Sequence, residues 1–257
     1  MRTITIKLPQ YHGVPVEAER ISPDVLAGLS IREISEIEVW QGNRRLRLSD
    51  IFLISGDTDP DKPENTRVVV EGDLSKVKRL GEGMSAGVME IIGDAGMHAG
   101  NSMRGGVLRI KGDAGDWLGR EMRGGRIEVD GNAGNYAGAG YRGERCGMRG
   151  GEIIIKGNAG AFLGEHLCGG TIEVMGDAGD FPGCANQGGI IRIHGHANLP
   201  GAEMVKGSIT AGSARVLPSF AYEDIVELGD MTYKKYVGDL VENGKGELYI
   251  ASGQIGK

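Results

Sequence analysis

The sequence predicts an all-β protein: a right-handed β-helix, or solenoid, of about seven 19-residue rungs, with a small α/β cap at the N-terminal end and a β cap at the C-terminal end. Three observations predict it. Glycine supplies 46 of the 257 residues, and the glycines recur at a fixed period instead of forming a low-complexity tract. Seven short runs alternate apolar and polar residues, the pattern of a strand with one face buried. Between 67 and 212 no apolar pattern of helical period persists, so nothing could serve as a crossover helix.

Residues 1–66 have the makings of the first cap. They hold a strand over 2–8, a helix starting near Ser22-Pro23 and running to about Ile37, and a hairpin around Gln41-Gly42-Asn43. The repeats follow over 67–212. Their strands are RVVVE (67–71), VMEII (88–92), VLRIK (107–111), RIEVD (126–130), EIIIK (152–156), TIEVM (171–175) and IIRIH (190–194). The closing glycines, Gly72, Gly93, Gly112, Gly131, Gly157, Gly176 and Gly195, are spaced 21, 19, 19, 26, 19 and 19 residues apart. The step of 26 is one period plus a seven-residue insertion within 139–147. Residues 213–257 make the second cap, with short strands, a Gly229-Asp230 turn and the stretch Glu242 to Gly246.

Stacking the repeats in register aligns further columns. The outward strand position reads Glu90, Arg109, Glu128, Ile154, Glu173, Arg192, so opposite charges neighbour each other, at roughly 0.2–1 kcal/mol per pair. The closing glycines from Gly93 to Gly176 open GDAG or GNAG turns and Gly195 opens GHAN, giving an Ala column (95, 114, 133, 159, 178, 197). The fourth turn position is Gly96, Gly115, Gly134, Gly160, Gly179 and then Asn198, which predicts a left-handed backbone there. Two residues on, His98, Trp117, Tyr136, Phe162 and Phe181 are expected to stack as a ladder of rings. Met84, Met103, Met122, Met148, Leu167, Asn186 and Met204 form an inward filler column.

A net charge of −6 and a pI near 5.5 argue against nucleic acid or an anionic membrane as the main partner, and Lys and Arg are scattered along the sequence with no basic run. No apolar stretch approaches the ~20 residues of a membrane helix, and MRTITIKLPQ lacks the apolar centre of a signal peptide. Cys146, Cys168 and Cys184 form no CxxC and no even disulfide framework, so they are taken as buried or indifferent thiols. A soluble cytoplasmic protein is the expectation.

Candidate chemistry is sparse. Gly138-Ala-Gly140-Tyr-Arg-Gly143 matches G-x-G-x-x-G, but no helix follows and this glycine content yields such matches by chance. His194 and His196 have a metal-compatible spacing without a third ligand, and His196 occupies a turn column. Neither a thiol with a His base nor a carboxylate pair converges on one place. The ring ladder could in principle hold a sugar or base, yet its neighbours Ala99, Leu118, Ala137, Leu163 and Pro182 offer no polar group to fix one. No catalytic, cofactor-binding or metal-binding residue is assigned. Tyr141, Arg142 and Arg145 of the insertion are the candidate partner-contact residues.

Written as G-x-x-M-x-x-G-x-[IL]-x-[IV]-x-G, the unit runs from Gly100 through Met103, Gly106, Leu108 and Ile110 to Gly112, and again from Gly119 to Gly131. It resembles the repeat of the C subunit of formylmethanofuran dehydrogenase. It is also similar to the related glycine-rich domain of glutamate synthase and to the C subunit of the methylotroph formyltransferase/hydrolase complex. Residues 81–207 carry the resemblance; 21–30 and 141–151 are similar to the dehydrogenase subunit in particular. Leu167 and Asn186 depart from the motif's Met, and Arg145 stands where it wants Gly or Trp.

The resemblance implies a non-catalytic scaffold in a complex that reduces CO2 and loads it onto methanofuran, the first step of methanogenesis from CO2, or its reverse. The implied partners are a tungsten- or molybdenum-pterin subunit, an amidohydrolase-like subunit with a binuclear metal site, and ferredoxin-like subunits with iron–sulfur clusters. The C subunit of a formyltransferase/hydrolase complex is the alternative. A free-standing enzyme acting on a carbohydrate or carboxylate is the rival from another class.

Overall fold

A computed structural model describes residues 2–11, 13–57 and 62–254. In chain order the elements are β1 (Arg2–Lys7), β2 (Val16–Glu17), α1 (Pro23–Leu26), α2 (Ile31–Ser35), β3 (Glu38–Gln41), β4 (Arg44–Arg47), β5 (Leu53–Gly56), β6 (Thr66–Glu71) and β7 (Val77–Lys78). The repeats contribute β8 (Val88–Ile92), β9 (Val107–Ile110), β10 (Arg126–Val129), β11 (Glu152–Ile155), β12 (Thr171–Val174), β13 (Ala178–Asp180), β14 (Gln187–Asn198) and β15 (Lys206–Arg215). β16 (Ala221–Leu228), β17 (Met231–Gly238) and β18 (Gly246–Gln254) complete the chain. The class is all-β.

β6, β8, β9, β10, β11, β12, β14 and β15 pair side by side and parallel, so Val88, Val107, Arg126, Glu152, Thr171 and Ile190 share one line across the sheet. β1 extends this stack beside β6, and β18 extends it beside β15. Antiparallel strands lie beyond, β5 at one end and the β16–β17 hairpin at the other. The second and fourth residues of each repeat strand are buried, Leu108/Ile110 and Ile127/Val129 among them. The Ala column forms its own line of parallel bridges from Ala95 to Ala178. The Met column is fully buried, and Asn186 is satisfied there: its Oδ1 accepts from Gly188 and Gly189 N–H, and its Nδ2 donates to Gly189 O.

Asp and Asn at the turns have a role beyond turn propensity. Asp94 Oδ1 accepts from Asp113 N–H at 2.8 Å, Asp113 from Asn132 at 2.7 Å, Asn132 from Asn158 at 2.9 Å, Asn158 from Asp177 at 2.8 Å, and Asp177 from His196 at 2.7 Å. Each carbonyl or carboxylate oxygen thus fastens the backbone of the next repeat.

Two local expectations are corrected. The left-handed residues are not Gly96, Gly115, Gly134, Gly160, Gly179 and Asn198 but the rings His98, Trp117, Tyr136, Phe162 and Phe181, with φ of 57–64°. Gly115 is required by proximity, because a Cβ there would lie 2.9 Å from the carbonyl carbon of Gly96. The left-handed strain of the ring residues, about 1–2 kcal/mol each, is opposed by stacking and by N–H bonds to the next repeat, such as Trp117 N to Asn135 O at 2.8 Å. The helix expected over 22–37 is two short ones, α1 and α2. Gly28 turns left-handed (φ 76°) between them, and Ser30 starts α2 afresh through a capping box with Glu33.

Candidate functional site

The ring ladder forms as expected. Centroids are separated by 6.2 Å (His98–Trp117), 4.3 Å (Trp117–Tyr136), 5.2 Å (Tyr136–Phe162) and 5.6 Å (Phe162–Phe181), all stacked. The rings are half-buried, while the next column, Ala99, Leu118, Ala137, Leu163 and Pro182, is buried.

The insertion leaves and re-enters the repeat at Gly140, whose N–H donates to Glu165 O, and Gly147, whose N–H donates to His166 O. Tyr141 folds back over the preceding repeat. Its N–H donates to Glu121 Oε1 at 3.3 Å, and its ring lies 6.0 Å from Trp117 and 4.9 Å from the Arg120 guanidinium. It remains 53% exposed. Arg142 and Arg145 are exposed, and among the described residues neither makes an ion pair. The Arg145 carbonyl accepts from Gln187 Nε2 at 2.7 Å, which ties the loop to a later repeat.

The cysteine expectation is overturned. Cys146 and Cys168 form a disulfide, with Cα atoms 5.5 Å apart, leaving Cys184 as the free thiol. The insertion brings Cys146 back beside the repeat that follows it, a proximity the repeat spacing does not show. Cys184 is half-buried, and burial, then the nearby Glu203 and Glu165, push its thiol up to about 12, so it is no nucleophile at neutral pH.

The scattered arginines also gather. Arg104, Arg123 and Arg149 are stacked through their backbones: Arg123 N–H donates to Met103 O, Arg149 N–H to Met122 O, and Cys168 N–H to Met148 O. All three arginines are exposed and none makes an ion pair among the described residues. The next residue in this column is Cys168, whose disulfide partner follows Arg145 directly. Three exposed arginines therefore stand on consecutive repeats, in a column that leads to the cysteine linked to the inserted loop.

Beside Tyr141, at the first ring of the ladder, lies a cavity of about 260 Å³ lined by Glu17, Lys78, Arg79, His98, Asn101, Arg120 and Tyr141. Its cations are engaged: Lys78 with Glu17 at 3.0 Å, Arg79 with Glu82 at 2.5 Å, and Arg120 Nε with Asn101 Oδ1 at 2.8 Å. Burial, then the Arg120 and Arg79 charges, hold His98 below the ordinary histidine range, and its Nδ1 is buried without a partner.

His194 and His196 turn to separate partners, His194 Nε2 to Glu173 Oε1 at 2.8 Å and His196 Nδ1 to Ser213 Oγ at 2.9 Å. Among the described residues no group of three or more His, Cys, Asp or Glu is arranged to hold a metal, and no helix is long and apolar enough to cross a membrane.

Parallel glycine-rich repeats fastened by side-chain ladders define the class as a β repeat protein. No family model matches the chain. It is 38% identical over 100 residues to the C subunit of the tungsten-containing formylmethanofuran dehydrogenase 2 of Methanothermobacter wolfeii, covering 39% of this chain and 37% of that protein. It is 44% identical over 85 residues to the C subunit of the molybdenum-containing formylmethanofuran dehydrogenase 1 of Methanosarcina barkeri, covering 33% and 28%. The matched stretch spans about a third of the length of these curated relatives.

The fold matches, with a TM-score of 0.89 and 30% identity, a chain of the crystal structure of the formyltransferase/hydrolase complex from Methylorubrum extorquens with methylofuran, over 96% of this chain and 99% of that one. The chain belongs to the same family as that chain of the formyltransferase/hydrolase complex, and over about a third of its length it is similar to the formylmethanofuran dehydrogenase C subunits.

Proposed function

We propose that this chain is the non-catalytic scaffold subunit of a formylmethanofuran dehydrogenase, docking a metal-pterin subunit and an amidohydrolase-like subunit, with ferredoxin-like subunits in the same complex. The observation that carries the proposal is the 38–44% identity to named C subunits of such enzymes. Tungsten or molybdenum, the iron–sulfur clusters and the binuclear site are placed on the partners, and this chain is assigned no catalytic, cofactor or metal residue. The C subunit of a formyltransferase/hydrolase complex is the second reading, favoured by the likeness over nearly the whole chain to the Methylorubrum extorquens structure.

The architecture that fits this role is a right-handed β-helix of about seven 19-residue rungs (67–212) between caps at 1–66 and 213–257. Three separate columns in one register, strand, alanine and ring, support it. The cytoplasm is the proposed compartment, where reducing conditions would open the Cys146–Cys168 link.

Tyr141, Arg142 and Arg145 are the proposed contact residues. Replacing 141–146 by a Gly-Ser link is expected to leave the melting temperature of the repeats within a few degrees of wild type while the complex fails to assemble. Unchanged assembly removes the loop from the interface.

A further inference from the structure

The outward strand column and the arginine column follow opposite rules. Along the strands, Arg109 lies between Glu90 at 3.7 Å and Glu128 at 3.1 Å, and Asp130 between Lys111 at 3.0 Å and Lys156 at 2.6 Å. Charges there compensate within the chain. Arg104, Arg123 and Arg149 instead place three like charges on neighbouring repeats, about 4.8 Å apart at the backbone, where like pairs destabilise the fold. At the start of the same column stands Ser85, held by Asp24, and past Arg149 the column reaches Cys168, which the disulfide joins to the loop bearing Arg145. An acidic protein thus keeps an uncompensated cationic stripe, and Gln187 Nε2, which donates to the Arg145 carbonyl at 2.7 Å, ties the last member to the repeats without the disulfide.

We propose that Arg104, Arg123, Arg149 and Arg145 form one docking stripe for a carboxylate-rich segment of a partner subunit. The proposal rests on the scaffold role and names the surface and the chemistry it uses. Guanidinium is the group suited to this: planar, always charged, and able to grip a carboxylate through two parallel N–H bonds. A carboxylate-rich segment relieves the repulsion within the stripe. A nucleic acid is disfavoured, because its dense phosphates would meet a protein of net charge −6. The stripe continues the inserted loop, so both belong to one interface.

The test uses the full chain and a triple variant, Arg104→Gln, Arg123→Gln, Arg149→Gln, with the corresponding Lys variants as a charge-retaining control. Binding of a short alternating Glu-Ala peptide is measured against salt, beside a single-stranded oligonucleotide of matched charge, and retention of each chain in the anoxically purified complex is quantified. The peptide is expected to bind wild type with affinity falling as salt rises and to bind the Gln variant at least about tenfold more weakly, while the variant melts at or above the wild-type temperature. The Lys variant is expected to fall between the two. Equal peptide binding and equal retention in the complex by wild type and the Gln variant overturn the stripe, and so does tighter binding of the oligonucleotide. A wild-type chain that binds the peptide yet purifies without partners leaves the stripe standing and removes the scaffold role.

Discussion

The Tyr141 ring packs against the Arg120 guanidinium, whose carbon lies 4.9 Å from the ring centroid, so a residue of the insertion is held by one from the preceding repeat. The contact leaves the residue about half exposed. An exposed cation–ring contact contributes about 0.5–1 kcal/mol, whereas a buried interface tyrosine can carry about 2 kcal/mol or more of binding. Tyr141→Ala is therefore expected to lower unfolding stability by no more than about 1 kcal/mol in urea titration and to weaken partner binding by at least about tenfold. Equal binding by the variant shows that Tyr141 faces solvent in the complex.

The Cys146–Cys168 link joins residues 22 apart in the sequence. Chain-entropy arguments give such a loop about 3 kcal/mol, acting through the unfolded state. Cys146→Ser is expected to lose stability on that order, and wild type measured with a dithiol reductant is expected to match it. A wild type indifferent to reductant would show that the link is not formed in solution.

Asp113 Oδ1 accepts the Asn132 N–H at 2.7 Å, and Asn fills the same role at position 132 itself. Asp113→Asn should be close to neutral, since the amide oxygen accepts equally. Asp113→Ala should cost about 0.5–1.5 kcal/mol by chemical denaturation. Equal stability of the two variants would remove the ladder as a stabilising device.

Met122 is fully buried, and Leu167 stands in its place two repeats on. Met122→Leu is expected to cost under about 1.5 kcal/mol, and Met122→Ala about 2–5 kcal/mol through the cavity left behind. Thermal and denaturant unfolding distinguish these outcomes.

His98 is held neutral by burial and by Arg120 and Arg79. Its folded pKa is depressed, so the unfolded chain takes up the proton first as pH falls through the ordinary histidine value near 6.5. Stability is then lost with falling pH, and above that value His98 contributes no slope. His98→Gln is expected to flatten the dependence between about pH 7 and 5. A titration of the His98 ring protons with an ordinary midpoint would contradict this.

Strand positions are legible because burial alternates with period two, so pairs such as Leu108/Ile110 announce their face. The ring and methionine columns follow once the period is known. Gly96 and its column mislead, since glycine serves close backbone approach there, and the left-handed turn falls on the rings, residues that rarely adopt it. The break between α1 and α2 has a visible signal in Ser30-x-x-Glu33, outweighed by the apolar pattern around it. The Cys146–Cys168 pair is hidden because the insertion shifts Cys146 out of phase. Arg104, Arg123 and Arg149 are a stripe only in register; their spacings of 19 and 26, directly after the methionine column, are the signal in the sequence that carries it. The cavity by Tyr141 draws Glu17 and Lys78 from far away in the chain, and no spacing encodes that.

Affinity purification of this chain from its own host under anoxic conditions, with mass spectrometry and metal analysis of what accompanies it, tests the scaffold role most directly. That role predicts stoichiometric partners carrying tungsten or molybdenum together with iron, while the chain separated from them holds no metal. Zinc-bearing partners without redox metals would assign it to a formyltransferase/hydrolase complex instead. A chain that purifies alone, with metal or activity of its own, would contradict the scaffold role.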